Sequence, residues 1–272
     1  MVKRRLIATL LVHQGQIVQT RKFKRTNPVG YAFTAVDFFN GWAVDEIMVL
    51  EISYNDAGAE EFLETVDGLS RRCFVPLSVG GKIADLARVH AYMRAGADKV
   101  VVNSEAVCNP ALIGDIAGEY GSQCLIVSID AAPDAAMPSG YRVMIRNGTE
   151  ATELDALSWA QEAASAGAGE IMVNCTEHDG DRRGYDLPLM RMIADAVNVP
   201  LIAMGGVGKW EDFVDGIAEG GADAVAAGNI FHYTEHSTKK AKEFMQGAGL
   251  DVRASDFYKV DMPRRPKYRA YS

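Results

Sequence analysis

Short, unbroken apolar runs alternate along the chain with longer stretches of helical periodicity. The apolar runs predict strands near Leu6–Val12, Glu46–Ile52, Val75–Val79, Val100–Asn103, Leu125–Asp130, Glu170–Cys175, Leu201–Met204 and Ala224–Ala227. They do not alternate with polar residues, as expected of parallel strands covered on both faces. Between them, segments such as Ala84–Ala95 and Leu154–Ala166 carry apolar residues at helical spacing. Eight strands, each followed by a helix, predict a (β/α)₈ barrel; a doubly wound open sheet is the rival.

An internal repeat favours the barrel. Val79-Gly80-Gly81 and the stretch from Ala97-Asp98 to Asn103-Ser104 recur as Met204-Gly205-Gly206 and Ala222-Asp223 to Gly228-Asn229, at an offset of 125. Glu46-Ile47-Met48-Val49 recurs as Glu170-Ile171-Met172-Val173 at an offset of 124. Near-constant offsets imply two half-barrels, over about 1–121 and 122–253 and meeting near Gly121, with one fold and one ligand chemistry shared between them. Two segments have no place in this scheme. His13–Tyr31 is a long connection, hairpin-like at Gly15, with Arg21, Lys22, Lys24 and Arg25; it reads either as a lid over an anionic substrate or as a solvated basic loop. Residues 254–272 read as a basic surface extension rather than a site.

Composition narrows the function. A net charge of −8 argues against a general nucleic-acid surface. No apolar run approaches the roughly 20 residues that span a bilayer. Cys73, Cys108, Cys124 and Cys175 are widely spaced and form no C-x-x-C pair, so neither zinc nor a disulfide framework is expected and a reducing cytosol fits best. No metal and no cofactor is expected.

Barrel chemistry gathers at the C-terminal ends of strands. Gly80-Gly81 and Gly205-Gly206 end the third and seventh strands, and Asn103-Ser104 and Gly228-Asn229 the fourth and eighth. Glycine lets backbone N–H groups approach a phosphate, so the duplicated clusters predict two phosphate sites half a barrel apart; tight turns are the bland account of any one pair. Asp130, ending the fifth strand, is placed for acid/base work. Asp179-Gly180 either adds backbone donors to the second site or is an ordinary turn. His178 and His232 are weaker candidates. At the opposite strand ends, Arg5, Glu46, Lys99 and Glu170 would close the barrel bottom as a ring of alternating charge.

These residues resemble the cyclase subunit of imidazole glycerol phosphate synthase, from about Lys3 to Arg253. The resemblance rests on the stretch from Ala95-Gly96 to Lys99-Val100, Gly121 to Cys124, Ile129-Asp130, Gly167 to Ile171, Asp179-Gly180, Gly184-Tyr185-Asp186, Gly205-Gly206 and Ile230-Phe231-His232. It implies a duplicated (β/α)₈ barrel and a glutaminase docked on the N-terminal face. Ammonia would pass a gate matching Arg5, Glu46, Lys99 and Glu170. It also implies a phosphorylated ligand held by Gly81, Lys82, Asn103 and Ser104 and by Asp179, Gly180, Gly206, Gly228 and Asn229, with Gly205 beside them. Lys82 stands where the family has a third glycine, and Asn229 where it has serine.

One departure bears on activity. The family pairs a strand-five aspartate, matched by Asp130, with a strand-one aspartate, and that position here is Leu11. Glu51 replaces a second-strand aspartate, a milder change. The pattern, with Thr34 to Asn40 and Val44 to Ile47, is similar to paralogues of acetamidino-sugar, surface-polysaccharide pathways, where the barrel and its glutaminase supply ammonia to an ATP-dependent amidating protein. The expectation is therefore an ammonia-carrying barrel subunit, with the cyclase-lyase of histidine biosynthesis as the alternative. A phosphoribosyl isomerase would leave the four basal charges without a purpose.

Overall fold

The computed structural model describes residues 3–53, 58–233 and 236–254. The expected basic extension, beyond residue 254, lies outside the described residues. In chain order the elements are β1 (Arg5–His13), β2 (Gln16–Arg21), β3 (Lys24–Gly30), α1 (Ala32–Gly41), β4 (Glu46–Glu51), α2 (Ala59–Ser70), β5 (Leu77–Gly80), α3 (Leu86–Arg94), β6 (Lys99–Val102), α4 (Ser104–Cys108), α5 (Ala111–Tyr120), β7 (Leu125–Pro133), β8 (Tyr141–Ile145) and β9 (Glu150–Asp155). There follow α6 (Ala156–Ala166), β10 (Glu170–Cys175), α7 (Leu187–Ala194), β11 (Leu201–Met204), α8 (Glu211–Ala218), β12 (Ala224–Ala227) and α9 (Ser237–Gly247). The strands β1, β4, β5, β6, β7, β10, β11 and β12 pair in that order, all parallel, and β12 pairs back to β1. The sheet closes into the expected (β/α)₈ barrel, which removes its edges.

The period of two along each strand sorts the side chains into two cores. One face, with Leu6, Ile47, Val79, Val100, Val127, Ile171 and Val225, packs against the helices. The other, with Ile7, Met48, Val101, Ile126, Met172, Ile202 and Ala226, fills the barrel interior. Both faces are apolar, which is why the strand sequences lack alternation.

Part of the repeat is explained at the barrel bottom. Asp98 accepts the Leu77 N–H at 2.8 Å and donates its own N–H to the Leu77 carbonyl at 2.8 Å. Asp223 treats Leu201 in the same way, at 3.2 and 2.9 Å. The repeated Ala-Asp pair thus stitches the start of one strand to its neighbour. Asp45 does the same for the Leu6 N–H and is neutralised by the buried Lys242, 2.7 Å away.

Two antiparallel hairpins interrupt the βα pattern. His13–Tyr31 turns at Gly15 into β2 and β3, paired with β1 and with each other. The β7–α6 connection forms a second hairpin, β8 with β9, which the apolar pattern does not predict because Glu150–Asp155 carries almost no buried side chain. The two hairpins follow the first strand of each half.

Candidate active site and basal charge ring

The period of two that builds the interior also carries Arg5, Glu46, Lys99 and Glu170 into the barrel bottom. Arg5 bonds Glu46 at 2.9 Å and Glu170 at 3.2 Å; Lys99 bonds the same two carboxylates at 3.2 and 2.6 Å. The Ser78 hydroxyl adds a 2.5 Å bond to Glu46. Burial alone would raise the Glu170 carboxyl, but the bonds and charges of Arg5 and Lys99 outweigh it and hold it below the ordinary value. Glu170 and Glu46 together raise the Arg5 guanidinium against the opposing effect of burial. The ring is neutral overall, with two positive and two negative side chains.

Above the ring the interior is apolar. Its exceptions are hydroxyls and an amide: the buried Thr9 Oγ1 and Asn174 Oδ1 have no protein hydrogen-bond partner. Further up, the strand ends open into a mouth cavity of about 560 Å³. Its wall brings together Asp130, Gly81, Lys82, Asn103, Ser104 and Asp179. Gly180, Gly205, Gly206, Gly228 and Asn229 lie outside that wall; of these, Gly180 and Asn229 pack on the first hairpin.

The hairpins account for this difference, because each reaches across to the opposite half. Asp179 holds the β2–β3 hairpin by accepting the Thr20 hydroxyl at 3.1 Å and the Phe23 N–H at 2.9 Å, and its carbonyl accepts the Lys22 N–H at 2.8 Å. Asn229 donates to the Thr20 carbonyl at 2.8 Å. A side chain at Gly180 would overlap that same backbone. The β8–β9 turn does the converse on the first half. The Arg146 N–H donates to the Ser104 hydroxyl at 2.9 Å, and the Asn147 amide to the Ile52 carbonyl at 2.9 Å. Ser104 and Asn229 are equivalent positions of the repeat, and both grip the other half's hairpin. The tips meet over the mouth, where a Cβ on Gly148 would come within 3.2 Å of the Phe23 ring.

Arg25, Lys82 and Arg146 bring positive charge to the mouth, against Asp130, Asp179, Glu51 and Glu105. The contribution of Arg146 and Asn147 was not read from the sequence, although Asn147-Gly148 is a hairpin-turn signal. Lys82 adopts a left-handed φ of +55°, following Gly81 at +93°. That conformation suits the glycine the family has there, and a side chain makes it strained. Its ammonium bonds the Ser53 carbonyl. Asp130 is buried. Burial, and then the charge of Asp179, push its carboxyl up to about 7 against a lowering bond from Asn103. It therefore exchanges a proton near neutrality, as a general acid requires.

Registers fix what faces Asp130's equivalent in the first half. Asp130 pairs with Asn174 across β7–β10, while Leu11 pairs with Leu50 across β1–β4. Leu50 and Asn174 stand at the offset of 124. The polar pair of one half is thus an apolar pair in the other, and both leucines pack on the interior cluster. Glu51 is tied to the Ser53 N–H at 2.7 Å. His232 is half-buried beside the Phe39 ring, and desolvation drives its pKa down to about 4, so it stays neutral. His178 sits outside the cavity wall, next to Asp186.

Residues 5–237 match the family described as "Histidine biosynthesis protein". The chain is also 38% identical, over 96% of its own length and 95% of the relative's, to a protein of Vibrio vulnificus (strain YJ016) named "Putative imidazole glycerol phosphate synthase subunit hisF2".

Proposed function

Because the chain belongs to the histidine biosynthesis protein family, we propose that it is the synthase-type barrel of a glutamine amidotransferase complex. In this reading a glutaminase docks on the N-terminal face. Ammonia enters past Arg5, Glu46, Lys99 and Glu170, crosses the apolar interior and leaves at the mouth. It serves amidination of a surface-polysaccharide sugar by an ATP-dependent protein.

The interior supports a neutral passenger. An ammonium ion would lose its hydration among methionine and isoleucine side chains, at a cost of several kcal/mol, whereas ammonia carries no charge. A neutral, self-paired ring can also part and re-form without leaving a lasting net charge. Cationic Arg25, Lys82 and Arg146 give the mouth an affinity for a phosphorylated ligand. Gly81, Lys82, Asn103 and Ser104 form one grip; Asp179, Gly180, Gly205, Gly206, Gly228 and Asn229 are the second, reached when the β2–β3 hairpin moves.

The observation that carries the delivery reading is the Leu11–Leu50 pair opposite Asp130–Asn174. Ring closure flanked by two proton-transfer groups loses about 10²–10⁴-fold when one is absent. The second reading, a cyclase-lyase, draws on Asp130, whose proton is held to about 7. The purified chain, given ammonium salts and the ribulosyl aminoimidazole carboxamide ribotide, should show little or no imidazole glycerol phosphate formation. Robust turnover by the wild-type chain would overturn the delivery reading in favour of the cyclase.

A further inference from the structure

Outside the barrel wall, at the mouth end of β10, three side chains of different chemistry converge. Cys175, His178 and Asp186 each place a potential ligand atom within 4.8 Å of the other two. Cys175 and Asp186 are buried, and the His178 side chain is 20% exposed. We propose that Cys175, His178 and Asp186 form a binding site for one divalent transition-metal ion of the zinc class, with a fourth position open towards solvent.

Four features point to a ligand set rather than to packing. First, the His178 Nδ1 lies 2.8 Å from the Gly184 carbonyl. A carbonyl only accepts, so Nδ1 carries the proton and the lone pair sits on Nε2. That arrangement orients metal-bound imidazoles, with the outer nitrogen on a backbone carbonyl and the inner one on the ion. Second, Nε2 faces the Asp186 Oδ2 at 3.9 Å. The other carboxylate oxygen, Oδ1, is already occupied by the Tyr141 hydroxyl at 2.9 Å and the Leu189 N–H at 3.2 Å. Capping α7 therefore uses one oxygen and leaves the other turned into the cluster.

Third, the His178 N–H donates to the Cys175 carbonyl at 3.0 Å, a turn that holds the two side chains of this Cys-x-x-His spacing beside one another. Burial, and then the charge of Asp186, push the Cys175 thiol up to about 12, so an ion must displace that proton to bind the sulfur. Fourth, the charges balance: one thiolate and one carboxylate neutralise a divalent ion in a dry site, and the thiol proton leaves to solvent. Zinc bonds of about 2.0–2.3 Å place tetrahedral ligand atoms roughly 3.3–3.7 Å apart, so closing the cluster needs shifts of about 0.5–1 Å. Sulfur with imidazole and carboxylate selects zinc or cobalt over magnesium or calcium.

A nucleophilic role for Cys175 does not fit, since its sulfur is buried towards the helix layer and faces away from the cavity. The loop between the ligands carries Asp179 and Gly180, which hold the β2–β3 hairpin. An ion there would pin the strand end, the loop and the start of α7 to one another. The loop is already shaped for this: Gly184 donates its N–H to the Gly206 carbonyl at 2.9 Å, and a side chain on Gly206 would strike His178 and Gly184.

The test is cobalt titration of the untagged, full-length chain after chelator treatment. One equivalent of Co²⁺ should produce a thiolate-to-cobalt charge-transfer band with the visible bands of a tetrahedral site. One equivalent of Zn²⁺ should bleach both and raise the melting temperature. His178→Gln and Cys175→Ala should each abolish the bands, and a Cys108→Ser control should keep them. His178→Gln alone decides the matter if Cys175→Ala does not fold. Absence of a thiolate band, or its persistence in His178→Gln, would overturn the site.

Discussion

Replacing Lys99 by Met tests the basal ring as a single electrostatic unit. In the native ring the Lys99 ammonium lies 2.6 Å from Glu170 and 3.2 Å from Glu46. The side-chain exposures are 16% for Lys99, 9% for Glu170 and 2% for Glu46, so water screens these contacts weakly. Removing the ammonium leaves two carboxylates sharing the Arg5 guanidinium. A contact at this distance is worth about 5–6 kcal/mol by Coulomb's law at an effective dielectric of 20, before the cost of desolvation, and breaking buried pairs costs about 3–5 kcal/mol. Lys99→Met should therefore lower the unfolding free energy by about 3 kcal/mol, and Glu170→Gln by a similar amount. The double variant keeps one intact pair, Arg5 with Glu46, and restores neutrality. Its loss should fall well short of the sum, with a coupling of about 2 kcal/mol. The pH dependence has a definite sign. Glu170 is held below its ordinary value, so its contribution is present at neutral pH and disappears as pH falls through the acid range beneath that value. Lys99→Met removes one of the charges that hold it and should flatten that acid loss. Urea unfolding of the four proteins at pH 7 and in the acid range measures both effects. Losses that add within about 0.5 kcal/mol would refute the reasoning.

Asp130 predicts the opposite slope. Its carboxyl is raised to about 7, so the folded chain keeps a proton that the unfolded chain releases near 4. Stability should fall as pH rises between those values, by up to about 4 kcal/mol, and Asp130→Asn should remove most of that slope in urea midpoints taken at pH 5 and pH 8. Asp98→Ala and Asp223→Ala, at equivalent positions, should each cost about 1–2 kcal/mol in urea unfolding, with neither altering ligand affinity at the mouth. Lys82→Gly should relieve a left-handed backbone worth about 1 kcal/mol while weakening phosphate binding, a split that melting and calorimetric titration separate.

The strands were legible because each is buried on both faces, and the repeat was legible because two halves solve the same packing problem. What the repeat meant was only partly legible. The Ala-Asp pairs mark the repeat in the sequence, and in the fold Asp98 and Asp223 tie strand starts together at the closed end of the barrel. The β8–β9 hairpin left little trace, because Glu150–Asp155 buries few side chains and so has no apolar signature. Nothing in either half announces that its hairpin docks on the other, since those bonds join residues more than forty positions apart. The Cys175–His178 turn escaped a search for paired cysteines, and Asp186 joins it only through the loop that returns to β10.

The mouth departs from symmetry by pairs rather than by single residues. Leu11 alone could be an isolated loss, tolerated in an enzyme that still works. Its register partner changes with it: Leu50 stands where the second half has Asn174, and the two leucines close an apolar surface over the interior cluster. A carboxylate restored at position 11 would face Leu50 at the cavity mouth, without the amide neighbours that Asp130 has in Asn103 and Asn174. Partial burial against the apolar pair would raise its carboxyl, with no partner to draw the proton off. Leu11→Asp should therefore fail to recover cyclase turnover in the same ribotide assay, and should lower the melting temperature by an amount that grows with pH. Full turnover from that one substitution would show that the chain lost a group and kept its site. Failure is expected because the first half has been rebuilt around an apolar pair, while the ring below it still bonds all four charges.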